Sequence, residues 1–329
     1  MLGVNLLPRV REGKTPENDG DGSETTDTEE SEVQVLKTSD REQGIRTLLE
    51  NYDLAKYEGK SIALKANFND AHPFPAATHI DTLRTIVESL KGAGVVELTM
   101  AERSGMGYTR SVLEEKGVYA LAEELEFNVV ALNEEGSDAW TKVDADGLHW
   151  RDGFYVSNVF LEADYVVQTC CLKTHRFGGH FTMSLKNSVG LVAKTVPDVR
   201  HNYMNELHGS LHQRRMIAEI NKFYDIDFVV MDALKAFVNR GPESGDTVSP
   251  GLLLASRDRV ALDAVGVAIL RSYGTTTEVM RGPIFELDQI KRAAELGIGV
   301  DAPEKIKLVP LNDGALGPCE EIEVLLNSA

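Results

Sequence analysis

Eight short apolar runs rich in β-branched residues recur along the chain with helical patterns between them, and this alternation limits the fold more than any other feature. The runs cover residues 33–36, 61–66, 95–100, 128–132, 165–169, 228–231, 252–255 and 305–311. Between them, residues 80–93 place Ile80, Leu83, Ile86, Val87 and Leu90 on one stripe, and residues 258–273 form a second amphipathic stretch. Strand, helix, strand at this spacing predicts an α/β fold with mainly parallel sheets covered by helices. With 329 residues the chain is long enough for two lobes, expected over 33–160 and 161–329. No internal repeat of fixed period interrupts the pattern.

Residues 11–32 break it, holding nine acidic against two basic residues and almost nothing apolar. Such a stretch buries too little surface to offset its ordering entropy, so residues 1–32 are expected to be a flexible acidic tail. The whole chain carries a net charge of −18, which repels a phosphate backbone and excludes nucleic acid as the natural partner. The first residues lack a basic leader followed by an apolar stretch. The most apolar helical segment, 260–270, is short and contains Asp263. A cytoplasmic protein with no membrane span is expected. Cys170, Cys171 and Cys319 are its three cysteines, too few to hold an iron–sulfur cluster unaided, and the adjacent pair is unsuited to a disulfide.

Candidate chemistry gathers after two of the strands. In an open α/β sheet the ligand crevice lies beyond the carboxyl ends of the strands. The run at 61–66 ends in a proline-punctuated loop, aiming Lys65, Asn67, Asn69, Asp70 and His72 towards that crevice. The run at 165–169 leads to Lys173, His175, Gly178, Gly179, Lys186 and Asn187, where paired glycines let the backbone approach a ligand between cationic groups. Five of the eight histidines, His175, His180, His201, His208 and His212, fall within 38 residues, as proton transfer or metal binding would require. His208 and His212 share a helix face outside any zinc motif and read as a solvated or structural face. Asp232 either faces the crevice or caps the next turn. Asp258 caps the helix that follows it, and Asp263 needs a partner or exposure.

Lys65-Ala-Asn67, Lys173-Thr-His175, Lys186-Asn187 with Gly190, Asp232, Gly241-Pro242 and the run from Asp258 to Asp263 together resemble domain of unknown function 362, over about residues 62–274. Many members of that family carry a ferredoxin-like cysteine cluster, which this chain lacks. A weaker resemblance is to nickel-pincer lactate racemases, on residues 69–75, His175, Gly178-Gly179, Lys186 and His201. That resemblance implies a cofactor-anchoring lysine at Lys186, a nickel ligand at His201 and an active-site imidazole at His175. The sequence departs from the racemase pattern in having Asn69 and His72 where an aspartate and a carboxylate-binding arginine stand, and in setting Lys186 seven residues beyond Gly179.

These features point to an enzyme whose interlobe cleft takes a small anionic substrate or nucleotide-like cofactor, with racemase- or epimerase-like chemistry on a hydroxy acid as the concrete form. His175, Lys186 and His201 are the expected catalytic groups. Lys65, Asn67, Asn69, His72, Lys173, Gly178, Gly179, Asn187 and Asp232 are expected to bind substrate. His201 and His175 are the candidate ligands for a nickel or iron ion. The alternative is an iron–sulfur-associated redox or metal-handling accessory protein that docks a separate ferredoxin.

Overall fold

The computed structural model describes residues 30–328. Its strands are β1 (Ser31–Lys37), β2 (Ser61–Lys65), β3 (Glu97–Glu102), β4 (Asn128–Ala131), β5 (Trp140–Val143), β6 (Phe154–Ser157), β7 (Tyr165–His175), β8 (His180–Thr182), β9 (Phe228–Phe237), β10 (Thr247–Val248), β11 (Leu252–Ser256) and β12 (Ile306–Pro310). All but β5 and β6 belong to one ten-stranded sheet, whose main path runs β12-β1-β11-β9-β7-β2-β3-β4. Along this path only β11 runs against its neighbours, and the other pairings are parallel. Strands β8 and β10 are short antiparallel additions to β7 and β9.

Side chains alternate across the sheet with the period of two that a strand imposes. Ile62 and Leu64 of β2 join Ile45, Leu83 and Ile86 from the helices Arg41–Leu49 and Ile80–Gly92. Ala63, between them, faces the opposite layer with Phe154 and Ile217. Val229 and Met231 of β9 pack on Leu262 and Val265 of the helix Arg259–Ser272. The result is a sheet covered by helices on both faces. Each large apolar side chain buried this way contributes about 1.5–3 kcal/mol relative to exposure. No helix among the described residues is long and apolar enough to cross a membrane.

Three features differ from the reading of the sequence. Residues 1–29 of the expected tail lie outside the described residues, and Ser31 and Glu32 belong to β1, because they pair with Ile306 and Lys307. The expected boundary at residue 160 does not separate two sheets, since β2 pairs with β7 and β1 lies between β11 and β12. Strand β7 does not end at Thr169 but continues to His175, because β8 folds back on it and pairs Lys173 with Thr182 and His175 with His180.

A cleft at the carboxyl ends of three strands

Strands β7, β2 and β3 are parallel neighbours, so their carboxyl ends emerge side by side. A cleft of about 330 Å³ opens there. β2 supplies Lys65 and, just beyond it, Asn67 and Asn69. β3 ends in Glu102 with Arg103 next, and β7 supplies Lys173 and His175. The facing wall is the segment that returns through β8 and carries Thr182, Lys186 and Asn187. Five basic side chains, Lys65, Arg103, Lys173, Lys186 and Lys194, line the cleft against one carboxylate, Glu102. In a chain of net charge −18 this is a local reversal of charge.

The strand-end lysines are fully engaged. Lys65 Nζ donates to Glu102 Oε2 at 2.7 Å, Asn187 Oδ1 at 3.2 Å and the Ala66 carbonyl at 2.5 Å. Lys173 Nζ donates to Asn67 Oδ1 and to the carbonyls of Pro75 and Ala76, the latter two at 3.1 and 2.5 Å. Three acceptors use all three donors of an ammonium, which is what lets a buried lysine keep its place. Glu102 also accepts from the backbone N–H groups of Phe68 and Arg103. Gly190 lies against this pair so closely that an added Cβ would meet Glu102 Oε1 at 2.4 Å and Lys65 Cε at 2.6 Å. The Arg103 guanidinium is turned onto the Val189 and Val192 carbonyls, and burial lowers its pKa to about 10.

Lys186 differs. It is 8% exposed and has no hydrogen-bond or ion-pair partner among the described residues. Burial, reinforced by the charges of Arg103 and Lys173, lowers its pKa from 10.5 to about 7. The short helix that carries it, Ser184–Asn187, is fixed from below by the buried Asp263, which accepts from Ser184 N at 2.8 Å, Ser184 Oγ at 2.5 Å and Leu185 N at 3.1 Å. Burial raises the Asp263 carboxyl to about 7. Gly179 packs behind Lys186 and His175 together: a Cβ there would meet Lys186 Cε at 2.8 Å and His175 Nδ1 at 3.0 Å.

His175 Nδ1 and Thr182 Oγ1 are buried without hydrogen-bond partners among the described residues. Burial first, then the charge of Lys186 and the neighbouring His208, holds His175 well below the usual imidazole range, so the ring is neutral. His208 also lines the cleft and is likewise depressed, mainly by burial. Its Nδ1 lies 2.8 Å from the Met204 carbonyl, which accepts, so Nδ1 carries the proton and Nε2 remains the acceptor nitrogen. His175 and Thr182 both line the cleft, and buried polar atoms without partners are uncommon in folded chains.

Over residues 62–268 the chain matches the family described as domain of unknown function (DUF362), a stretch that contains every residue lining the cleft. The chain belongs to the DUF362 family. A thylakoid-associated protein of Synechocystis sp. is 28% identical over 208 residues, which make up 63% of this chain and 61% of that protein. The chain therefore spans about three fifths of the length of this relative.

Within this DUF362 chain the structure brings together Lys65, Asn67, Asn69, Lys173, His175, Lys186 and Asn187, and sets Gly179 directly behind them. Other expected site residues lie elsewhere. His201 is not part of the cleft lining: its Nε2 pairs with Glu206 at 2.6 Å and its ring lies against Tyr203. His72 is half-exposed and sits against Asp70. Asp232 accepts from Arg41 Nε and Thr82 Oγ1, tying two helices to β9, and from Leu234 N within its own strand. Gly178 packs against Gln213. Glu102, Arg103 and His208 line the cleft without standing out in the sequence as site residues.

Among the described residues no three His, Cys, Asp or Glu side chains converge where an ion could sit. Cys170 and Cys171 are buried in β7, and burial pushes both thiols up, Cys171 to about 11, away from the thiolate a metal requires. With His201 bound to Glu206, the nickel ligand implied by the racemase resemblance is not beside Lys186.

Proposed function

We propose that this DUF362 chain is an enzyme that binds a small organic acid in the cleft and moves a proton at the carbon beside the acid's charged group. The observation that carries the reading is Lys186: a buried, unpartnered amine with its pKa lowered to about 7, next to a neutral imidazole with a free nitrogen. A base works best when its pKa lies near the operating pH, and a lysine reaches that range only when buried and crowded by cations. Lys186 takes or returns the proton, and His175, flanking the same glycine, is its counterpart. Lys65, Lys173 and Asn67 form the rigid wall, and the excess of cations draws the acid in.

A hydroxy acid whose configuration is inverted at that carbon is the form the racemase resemblance brings to the test. The compartment we assign is the cytoplasm. The relative's thylakoid association is the competing location, and cell fractionation decides between them.

Hydrogen exchange tests the chemistry whatever the product is. The protein is incubated in D₂O with a panel of 2-hydroxy and 2-oxo acids, and deuterium entry at carbon is followed by NMR. Exchange above the uncatalysed rate is expected for at least one acid, and it should vanish in Lys186→Ala and His175→Ala variants that keep the wild-type circular dichroism. Exchange undiminished in Lys186→Ala, or no acid bound by the wild type, would overturn the reading.

A further inference from the structure

The cleft holds three buried lysines, and only one has an uncommitted nitrogen. Lys65 and Lys173 each meet three acceptors, whereas Lys186 meets none among the described residues. Its nitrogen faces the cleft instead of protein acceptors, and burial together with the neighbouring cations Arg103 and Lys173 favours the neutral amine, whose lone pair is a nucleophile. At pH 7 a group with the pKa of Lys186 presents roughly a thousandfold larger fraction of free amine than an ordinary lysine. The amine opens onto a space of about 330 Å³, enough for a small acid. The neutral His175 with its free Nδ1 and the unpaired Thr182 hydroxyl border the same space, so proton carriers stand next to the amine.

We propose that Lys186 captures a small 2-oxo acid as an imine. The step rests on the acid-binding reading above and narrows its substrates to acids that carry a carbonyl. Nζ attacks the carbonyl carbon, a C–N bond forms, and one proton passes from nitrogen to the carbonyl oxygen to give a carbinolamine. The carbinolamine then loses its hydroxyl with the remaining nitrogen proton as one molecule of water, leaving C=N. His175 accepts the nitrogen proton and delivers it to the departing hydroxyl, so no oxidant or reductant enters. Protonation of the imine from solvent gives an iminium, which in pyruvate and 2-oxoglutarate acidifies the C–H one carbon beyond the carbon that bears the carboxylate and makes proton exchange there feasible at neutral pH; glyoxylate, which has no such C–H, tests capture alone.

The test is reductive trapping on the full chain. Pyruvate, glyoxylate and 2-oxoglutarate are each incubated with the protein at neutral pH in the presence of cyanoborohydride, and adducts are located by peptide mass mapping. Lactate, which has no ketone or aldehyde carbonyl, serves as competitor, and its binding to the wild type is measured separately by calorimetry. One equivalent of adduct at Lys186 is expected, saturable in the oxo acid, suppressed by lactate and at least about tenfold above any surface lysine, a margin well inside the difference in free amine. A Lys186→Arg variant, which keeps a cation in place, should bind the acid and trap nothing, and His175→Ala should trap slowly at the same residue. Adducts scattered over surface lysines, or unsaturable labelling of Lys186, would overturn the imine. Lactate binding without any adduct would overturn the imine and leave the acid-binding reading standing. Absence of binding by lactate and all three oxo acids would remove both.

Discussion

The two walls of the cleft handle the same problem, a lysine out of water, in opposite ways. On the strand wall, Lys65 and Lys173 sit at or below 1% exposure and every donor is used. On the return segment, Lys186 is nearly as buried and is given nothing to bond. Burial lowers the pKa of all three amines, but only the strand-wall pair is supported by compensating acceptors, with Glu102 acting directly on Lys65. A fold that places acceptors around two buried lysines and gives a third none among the described residues treats the strand wall as framework and, on the function proposed above, leaves Lys186 as the reactive group.

Breaking the framework should have the largest effect. Glu102→Ala leaves the Lys65 ammonium buried without its carboxylate, and a loss of about 3–5 kcal/mol in urea unfolding is expected, the range for one partner removed from a buried pair. A loss below about 1 kcal/mol would mean that the pair is not structural.

Lys186→Met sharpens the contrast in the other direction and with a smaller effect. The folded pKa of Lys186 lies below its unfolded value of 10.5, so the unfolded chain binds more protons between pH 7 and 10.5, and this residue's unfavourable contribution diminishes as pH rises through that window. Below about pH 7 the penalty is present in full. The variant should therefore be more stable than wild type by roughly 1–3 kcal/mol at pH 6, and the advantage should shrink towards pH 10. A destabilised variant with no pH dependence would place Lys186 among ordinary packing residues.

Much of this arrangement was legible in the sequence, for physical reasons that also explain what was not. All eight apolar runs became strands; those in the middle of the sheet, such as 228–231 and 252–255, are buried on both faces and so continuously apolar, which is easily seen. Strands β5, β6, β8 and β10 have two to four residues each and show too little alternation to stand out. Lys65, Asn67, Lys173 and His175 were reachable through the rule that strand ends face the crevice. Glu102 and Arg103 obey the same rule, but the apolar run stops at Met100 while the strand continues two residues further, so the pair falls just outside the visible signal. His201 as a nickel ligand entered through the racemase resemblance, and nothing in the sequence foretold that Glu206, five residues on in the following helix, would bind it. The absence of a partner for Lys186 was beyond sequence reasoning, because it is a property of what the fold leaves empty around one atom. Asp263 shows the converse: its need for a partner was clear, and Ser184, 79 residues away, supplies it.

The contrast between the two walls comes down to the charge on one nitrogen. With ¹³C-labelled lysine incorporated throughout and the Lys186 signal assigned by its loss in Lys186→Arg, the Cε chemical shift of Lys186 can be followed against pH in the folded protein. The expected midpoint is about 7. A midpoint near 10.5, the ordinary lysine value, would show that Lys186 stays charged in the cleft and would contradict its role as a free amine.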